Sequence, residues 1–227
     1  MDMDALKQKA AYEAVDLVED GMIVGLGTGS TAKHAVDRVA WRMREEGLRI
    51  IGVPTSSRTR EQALSLGIPL ATLEEEPALD IAIDGADEIE LGTLSLIKGA
   101  GGALLQEKLV EVSAKTLIII ADESKKVDKL GGRFAVPVEV VRFGWRSTQE
   151  RLRALGCDPV LRGGDDPYVT DEQHYLIDCG FGLIEDAATL ADAIKAVTGV
   201  VEHGLFIGMA SRAILATRGG IEVLLPG

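Results

Sequence analysis

Short apolar runs alternate along the first half of the chain with longer segments whose apolar residues recur at helical spacing. The runs are rich in Val, Ile and Leu and have the length of buried strands; they cover residues 22–26, 50–54, 70–73, 80–84 and 116–121. Residues 5–19 and 30–46 have the period of amphipathic helices. This alternation predicts an α/β domain with a parallel sheet covered on both faces.

The pattern changes after Lys125. Residues 126–132 are charged and end in Gly-Gly, which suits a linker. Six segments follow, at 136–141, 148–155, 159–162, 168–170, 174–178 and 188–197, in a β-α-β-β-α pattern with one additional strand segment. It predicts a smaller α+β domain of the ferredoxin-like type.

The last part of the chain contains an apolar segment at 203–207, a predicted helix at 210–217 and another apolar segment at 222–225. We expect this part to return to the first sheet rather than to complete the small domain. The predicted domains are therefore 1–129 plus 205–227, and 130–204.

A glycine-rich segment, Gly25-Leu-Gly-Thr-Gly-Ser-Thr-Ala32, follows the first predicted strand and opens a helix. Amides at a helix N-terminus bind anions, and glycines let a ligand approach the backbone. The segment also fits a dinucleotide pattern, but only Thr-Ser-Ser, and no ribose-binding acid, follows the second strand. It is not a Walker loop, because no Gly-Lys-Ser/Thr follows. A phosphate monoester fits best, and a plain turn capped by Ser30 is the alternative.

Two further polar groups follow predicted strands, at the edge where open α/β sheets bind ligands. Asp84 and Asp87 stand three residues apart across a glycine turn, so both can face one pocket and bind sugar hydroxyls. Lys125 follows the most apolar strand. The alternatives are an Asx-turn with a helix cap for the aspartates and a solvated side chain for the lysine.

The segment Lys98-Gly-Ala-Gly-Gly-Ala-Leu-Leu-Gln-Glu107-Lys108 places one carboxylate in an apolar helical turn after a glycine bend. Desolvation by Leu104, Leu105 and Leu109 would raise the pKa of Glu107 toward the range of a general base. Lys98, Lys108 and the amides of the bend could hold negative charge on a neighbouring oxygen. The alternative is that Glu107 and Lys108 form the exposed face of a helix.

Composition excludes several classes of partner. The net charge of −12 argues against nucleic acid and anionic membranes, so a phosphate site must be local. No apolar run reaches the ~20 residues needed to cross a bilayer, and the acidic start does not resemble a signal peptide. Cys157 and Cys179 fit a reducing cytoplasm better than a disulfide scaffold. The three scattered histidines have no metal-ligand spacing, so no metal site is predicted.

Five motifs, in this order and spacing, resemble ribose-5-phosphate isomerases of the A type: Gly27-Thr-Gly-Ser-Thr31, Asp84-Gly-Ala-Asp87-Glu-Ile, Lys98-Gly-Ala-Gly-Gly, Gln106-Glu-Lys108 and Asp122-Glu-Ser-Lys125. The resemblance spans nearly the whole chain. It implies a Rossmann-like domain with a smaller α+β domain, and interconversion of D-ribose 5-phosphate and D-ribulose 5-phosphate in the non-oxidative pentose phosphate pathway. It further implies no metal or redox cofactor, and a homodimer or larger homo-oligomer.

The resemblance also implies roles for individual residues. Glu107 would shuttle a proton between C1 and C2 through an enediolate. Lys98 and the amides of Gly99, Ala100 and Gly101 would stabilise the enediolate oxygen. Asp84 and Asp87 would bind sugar hydroxyls beside Gly85 and Ala86, with Asp84 assisting ring opening. The phosphate would be held by Lys7, Thr28, Gly29, Ser30, Thr31 and Lys125.

Two other functions share this type of fold. A sugar-phosphate-sensing module of a regulator would need a DNA-binding segment, and the N-terminus predicts one acidic helix instead of a basic helix-turn-helix. A CoA-transferase-like enzyme would use a glutamate as a nucleophile. The aspartate pair and Lys125 favour a sugar phosphate over CoA.

Overall fold

The computed structural model describes residues 3–227, and of Met3 the backbone alone. The pattern of contacts divides the chain into two units. The first contains the chain up to Ala86 together with Gln106–Lys125 and Met209–Gly227, and the second contains Asp87–Leu105 and Lys126–Gly208. Residues 1 and 2, included in the predicted first domain, lie outside the described residues.

Fourteen strands are described in residues 3–227: β1 (Ile23–Leu26), β2 (Ile51–Pro54), β3 (Leu79–Asp84), β4 (Glu88–Glu90), β5 (Leu96–Ile97), β6 (Ala114–Asp122), β7 (Lys126–Val127), β8 (Val136–Val140), β9 (Asp158–Leu161), β10 (Tyr175–Gly180), β11 (Val200–His203), β12 (Leu205–Phe206), β13 (Arg212–Thr217) and β14 (Gly220–Leu224). The α-helices of the same residues are α1 (Met3–Val15), α2 (Ala32–Glu45), α3 (Ser57–Ser65), α4 (Leu104–Val112), α5 (Trp145–Arg153) and α6 (Ala187–Lys195). A short 3₁₀ turn covers Glu123–Lys125.

The first unit is built on a six-stranded sheet in the order β14-β13-β6-β3-β1-β2. All neighbours are parallel except the edge pair of β13 and β14. Helices α1 and α2 pack on one face through a core of small and branched apolar side chains. The predicted α/β class is confirmed, because parallel strands joined by helices bury both faces of the sheet.

Helix α4 packs against strands of the first unit through Val110, which shares a core cluster with Val53 and Leu79. Gly25 in β1 makes this approach possible. A Cβ at Gly25 would lie 2.8 Å from Cγ1 of Val110 and 2.8 Å from Cβ of Ala82, closer than side chains pack. The glycine is therefore required by helix packing as well as by the loop that follows it.

The second unit contains the antiparallel sheet β11-β8-β10-β9 with α5 and α6 in a β-α-β-β-α-β order. This is the predicted ferredoxin-like arrangement, and β11 completes it. The core is apolar and includes Cys157 and Cys179, both reduced. The interaction with the neighbouring Cys157 thiol, together with burial, raises the pKa of Cys179.

A second sheet of this unit has the order β12-β5-β4-β7. Glu88 is the first residue of β4 in this sheet, and its buried carboxylate accepts hydrogen bonds from the amides of Gly131, Arg133 and Phe134, at 2.6, 2.8 and 2.9 Å. The prediction of a linker at 126–132 is therefore wrong. Charge and glycine made this segment resemble a linker, but residues 126–127 pair with β4 as the strand β7, and the amide of Gly131 is a partner of the buried acid.

The predicted domain boundaries differ from the two units. Residues 126–129 and 205–208 were expected in the first domain and belong to the second unit, and the same holds for residues 87–105. These residues form β4 and β5, which pair with β7 and β12 of the second unit. Strands of two or three residues carry too little periodicity to be recognised in a sequence. The return of the chain end to the first sheet is confirmed for β13 and β14.

Three predicted elements differ in type. Residues 210–217 were predicted as a helix, but residues 212–217 form the strand β13. The interior of this strand is buried on both faces, so no alternation of apolar and polar residues identifies it in the sequence. Residues 70–73 and 168–170 were predicted as strands, and each forms one isolated bridge. In both, a threonine hydroxyl makes local bonds that compete with strand pairing, Thr72 with Glu75 and Thr170 with the amide of His174. Helix α3, capped by Ser56, was not predicted.

None of the helices described in residues 3–227 is long and apolar enough to cross a membrane.

Candidate active site

The first unit has one topological switch point, where the chain leaves β1 for β2 on one side and later returns to β3 on the other. Ligands of open α/β sheets bind in the crevice outside the carboxyl ends of such strands. Here two hydrogen bonds join the strand ends. The amide of Gly27 donates to the carbonyl of Ile83 at 3.0 Å, and the amide of Thr28 donates to Oδ1 of Asp84 at 2.9 Å.

Asp84 is 1% exposed and has a fixed orientation. Its Oδ1 accepts from the amides of Thr28 and Gly85, the latter at 2.6 Å. Two amide donors to one carboxylate oxygen hold the side chain in one rotamer. The bond to Gly85 joins consecutive residues, so it is not the Asx-turn considered as the alternative role, and the Thr28 amide comes from the glycine loop.

Thr28 makes several bonds to the protein. Its amide donates to Asp84, and its hydroxyl lies within 2.7, 2.8 and 3.0 Å of the hydroxyls of Thr55, Ser56 and Thr59. The amide and hydroxyl of Thr28 thus connect the glycine loop to the rest of the first unit. The sequence analysis used Thr55-Ser-Ser only to note that no ribose-binding acid follows the second strand. Three consecutive hydroxyl side chains after β2 were nevertheless a signal for a hydroxyl cluster at this position.

The remaining loop residues keep the geometry of an anion site. Ser30 and Gly29 are exposed, and Thr31 stands at the N-cap of α2. The first amides of a helix have no intrahelical acceptor, so this end of α2 carries partial positive charge. Nζ of Lys7 donates to Oγ of Ser30 at 3.0 Å, which brings a lysine of α1 to the loop.

Glu107 lies on the packed face of α4, together with Leu104, Val110 and Glu111. The Glu107 side chain is 5% exposed, so the interpretation of a solvated face is wrong. Leu109, predicted to desolvate it, is 48% exposed and points elsewhere. Its position two residues from Glu107 puts it on another side of the helix.

Topology places the N-terminal half of α4 at the edge of the sheet that holds Asp84. The helix precedes β6, which runs parallel to β3, so the connecting helix runs in the opposite direction along the sheet face. Lys125 ends the 3₁₀ turn directly after β6 and is half-buried at the same edge. The first unit thus collects the glycine loop, Asp84, Glu107 and Lys125 at one edge.

In the second unit, Asp87 and the glycine bend are joined. Oδ2 of Asp87 accepts from the amide of Ala100 at 2.9 Å, and the amide of Asp87 donates to the carbonyl of Ile97 at 2.8 Å. The Ala100 amide, predicted to stabilise an enediolate oxygen, is therefore engaged by Asp87. Gly99 has a φ of +100°, a conformation that favours glycine.

Lys98 is the largest fully buried side chain of the described residues, at 1% exposure. Its Nζ lies 5.4 Å from the centroid of the Phe206 ring, and its amide donates to the carbonyl of Gly204 at 2.9 Å. A buried ammonium interacts strongly with a nearby anion because little water screens it. Lys98 can thus stabilise charge that forms during a reaction.

Within residues 3–227, no group of three or more His, Cys, Asp or Glu side chains has an arrangement that could hold a metal ion. The histidines instead bind single carboxylates, His34 with Asp4 and His174 with the buried Glu139. Burial raises the pKa of Glu139, and the hydrogen bond from His174 opposes this shift.

Residues 51–220 match the family model of ribose 5-phosphate isomerase A, also called phosphoriboisomerase A. The chain belongs to this family. It is 67% identical to the ribose-5-phosphate isomerase A of Synechococcus sp. (strain JA-3-3Ab) over 223 residues, with 97% of each chain covered. The resemblance stated from the sequence motifs is confirmed.

Solved structures agree with the fold of this isomerase. Ribose 5-phosphate isomerase A from Methanocaldococcus jannaschii is 43% identical, with a TM-score of 0.95 and coverage of 99% of this chain and 100% of the other. A D-ribose-5-phosphate isomerase in complex with phospho-erythronic acid is 37% identical, with a TM-score of 0.96 and the same coverage.

The isomerase interconverts ribose 5-phosphate and ribulose 5-phosphate. The aldose–ketose isomerase activity expected from the motifs is confirmed, and the regulator and CoA-transferase alternatives are not favoured.

The contact of Gly27 with Asp84 leads to a first prediction. A Cβ at Gly27 would lie 2.3 Å from Oδ1 of Asp84 and 2.5 Å from the Ile83 carbonyl. We expect Gly27→Ala to lower the unfolding free energy by about 1–3 kcal/mol in urea titrations and to lower kcat, because Asp84 must move. Gly219→Ala is the control, since its nearest neighbour would lie at 3.7 Å. Equal stability and kcat in the two variants would contradict the prediction.

Proposed function

We propose that the isomerase moves one proton between C1 and C2 of the open-chain sugar phosphate with Glu107 as the base. The observation that carries the proposal is the collection of Glu107, Asp84 and the glycine loop at the carboxyl edge of one sheet. Starting from the aldose, Glu107 takes the proton from C2 while the electrons of the C1=O1 bond move to O1. Glu107 then returns this proton to C1, and the O2 proton passes to O1, so that C2 becomes the ketone and C1 carries a hydroxyl.

The negative charge on O1 exists only in the enediolate and the transition states beside it. Groups that stabilise this charge therefore raise kcat rather than ground-state affinity. We assign this role to the Lys98 ammonium with the amides of Gly99 and Gly101. The amide of Ala100 contributes by binding Asp87, which keeps the bend closed.

Asp84 and Asp87 are assigned to the sugar hydroxyls, beside Gly85 and Ala86. The two amide bonds to Oδ1 fix the orientation of the Asp84 carboxylate. A carboxylate with a fixed orientation can bind a particular hydroxyl of the sugar and can help to open the sugar ring.

The phosphate end is assigned to Gly29, Ser30 and Thr31, with Lys7 and Lys125. Thr28 supports the conformation of this loop, because its amide and hydroxyl bind protein groups. The hydrogen bond from Lys7 to Ser30 supports a cationic loop in an otherwise acidic protein. A related isomerase is described in complex with phospho-erythronic acid, a phosphorylated sugar acid, which supports a sugar-phosphate ligand.

Glu107→Gln tests the base. The substitution keeps the size of the side chain and removes its ability to take a proton, so we expect kcat to fall by about 10²- to 10⁴-fold. KM should change much less, because the phosphate and hydroxyl contacts lie elsewhere. Exchange of the substrate C2 proton with deuterated solvent, followed by NMR, should be lost in parallel.

Glu111→Gln is the matched control for this experiment. Glu111 lies one turn later on the same face of α4 and is 2% exposed, so its substitution removes an equally buried charge. We expect it to keep turnover within a few-fold of the wild type, roughly the effect of 0.5 kcal/mol. A Glu107→Gln enzyme that retains most of its turnover and exchange would remove Glu107 from the mechanism.

Lys125→Ala tests the phosphate site. Loss of one cationic contact to a phosphate should raise KM for ribose 5-phosphate by at least about tenfold, or about 1.4 kcal/mol. Lys115→Ala is the control, because Lys115 lies at the other end of β6 and pairs with Asp80. The same KM in both variants would contradict phosphate binding by Lys125 and would favour the alternative of a solvated side chain.

We further propose that the enzyme acts in the cytoplasm as a homodimer or larger homo-oligomer. The two buried, reduced cysteines suit a reducing compartment, and the family resemblance supports the oligomer. Sedimentation equilibrium at micromolar concentration should give at least twice the chain mass of 24.1 kDa. A single species at the mass of one chain would contradict the oligomer.

A further inference from the structure

Arg162, at the end of β9, contacts the glycine bend through its side chain. Nη1 donates to the carbonyl of Gly99 at 3.0 Å and to the carbonyl of Ala100 at 3.2 Å. The other side of the guanidinium binds Asp178 of β10, with Nε donating to Oδ2 at 3.0 Å and Nη2 to Oδ1. Both side chains are mostly buried, at 20% and 30% exposure.

These contacts fix the orientation of two successive peptide planes. A trans peptide is planar, and its N–H points opposite to its C=O. The plane between Gly99 and Ala100 is held at both ends, by Arg162 at the carbonyl and by Asp87 at the amide. The plane between Ala100 and Gly101 is held at its carbonyl, so the direction of the Gly101 amide is set by Arg162.

Neighbouring groups hold the guanidinium in place. Asp178 takes two parallel hydrogen bonds in the fork geometry that only arginine offers. The Tyr168 ring lies 6.0 Å from Cζ of Arg162, and the amide of Tyr168 donates to the Arg162 carbonyl at 2.9 Å. The Tyr168 hydroxyl also lies 2.3 Å from where a Cβ of Gly102 would be, so the tyrosine closes on the bend.

We propose that Arg162 is a positioning residue for the isomerisation: it holds the bend from Lys98 to Gly101 in the shape that meets the enediolate oxygen. The inference rests on the proposed function, in which this bend stabilises the enediolate. Arg162 itself faces the carbonyl side of the bend and does not need to touch the sugar. Asp178 contributes by holding the guanidinium where it can donate to both carbonyls of the bend.

The test compares Arg162→Met with the wild type. A misdirected oxyanion donor should lower kcat by about 10- to 100-fold. KM for ribose 5-phosphate should change by less than about threefold, because interactions made only in the transition state leave ground-state binding unchanged. Phospho-erythronate carries a carboxylate, and we expect its inhibition constant to rise by a factor similar to the loss in kcat. A purely structural role would not divide kcat from KM in this way.

Two further variants separate geometry from charge and from folding. Arg162→Lys keeps the positive charge beside Asp178, but one ammonium nitrogen cannot span the bend on one side and the carboxylate on the other as the planar guanidinium does, so kcat should still fall severalfold. Arg153→Met removes an ion pair with Glu150 on α5 of the same unit and should leave kcat unchanged. Thermal melts of all variants report folding.

Wild-type kcat and inhibition in Arg162→Met would overturn the inference. If that variant does not fold, wild-type kinetics in Arg162→Lys would overturn it. A loss in kcat that only matches the unfolded fraction, or that appears equally in Arg153→Met, would also overturn it. Glu107→Gln separates this failure from failure of the proposed mechanism: an inactive Glu107→Gln beside a normal Arg162→Met refutes the positioning role alone.

Discussion

The hydrogen bonds between the ends of β1 and β3 are the constraint on which the first unit depends. They join the glycine loop to Asp84, so the group assigned to the phosphate and the group assigned to the sugar hydroxyls are fixed relative to each other. Gly27 is required because no side chain fits between the Asp84 carboxylate and the Ile83 carbonyl. Preorganisation of this kind lowers the cost of ordering a flexible sugar phosphate.

A buried cluster of hydroxyl side chains supports the glycine loop at this junction. Thr28 meets Thr55, Ser56 and Thr59, and these hydroxyls also bind the carbonyls of Leu26 and Gly27. The Leu26 carbonyl accepts from both the amide and the hydroxyl of Thr55, and the Gly27 carbonyl accepts from the hydroxyl of Thr59, where the regular strand pairing ends. The hydroxyl cluster supplies these donors and gives the loop a single conformation.

The second unit uses charged groups in the same way. Glu88 binds three amides of the segment that follows β7, and Arg162 with Asp178 holds the glycine bend. A buried or half-buried ion is stable only when its hydrogen-bonding capacity is filled, so each such group fixes the backbone around it. The irregular segments of this unit are therefore defined by specific side chains and not by regular pairing.

The sequence by itself determined the α/β class, the ferredoxin-like unit and the motifs of the site, because these depend on local periodicity and on residue types at fixed spacing. Tertiary structure alone decided the rest. The strand at 212–217 and the short strands β4 and β5 have no periodicity of their own, and pairing with strands that lie far away in the sequence defines them. The occupied amides of Thr28 and Ala100, and the contact of Arg162 with residues about 60 positions earlier, likewise depend on long-range partners that local sequence does not encode.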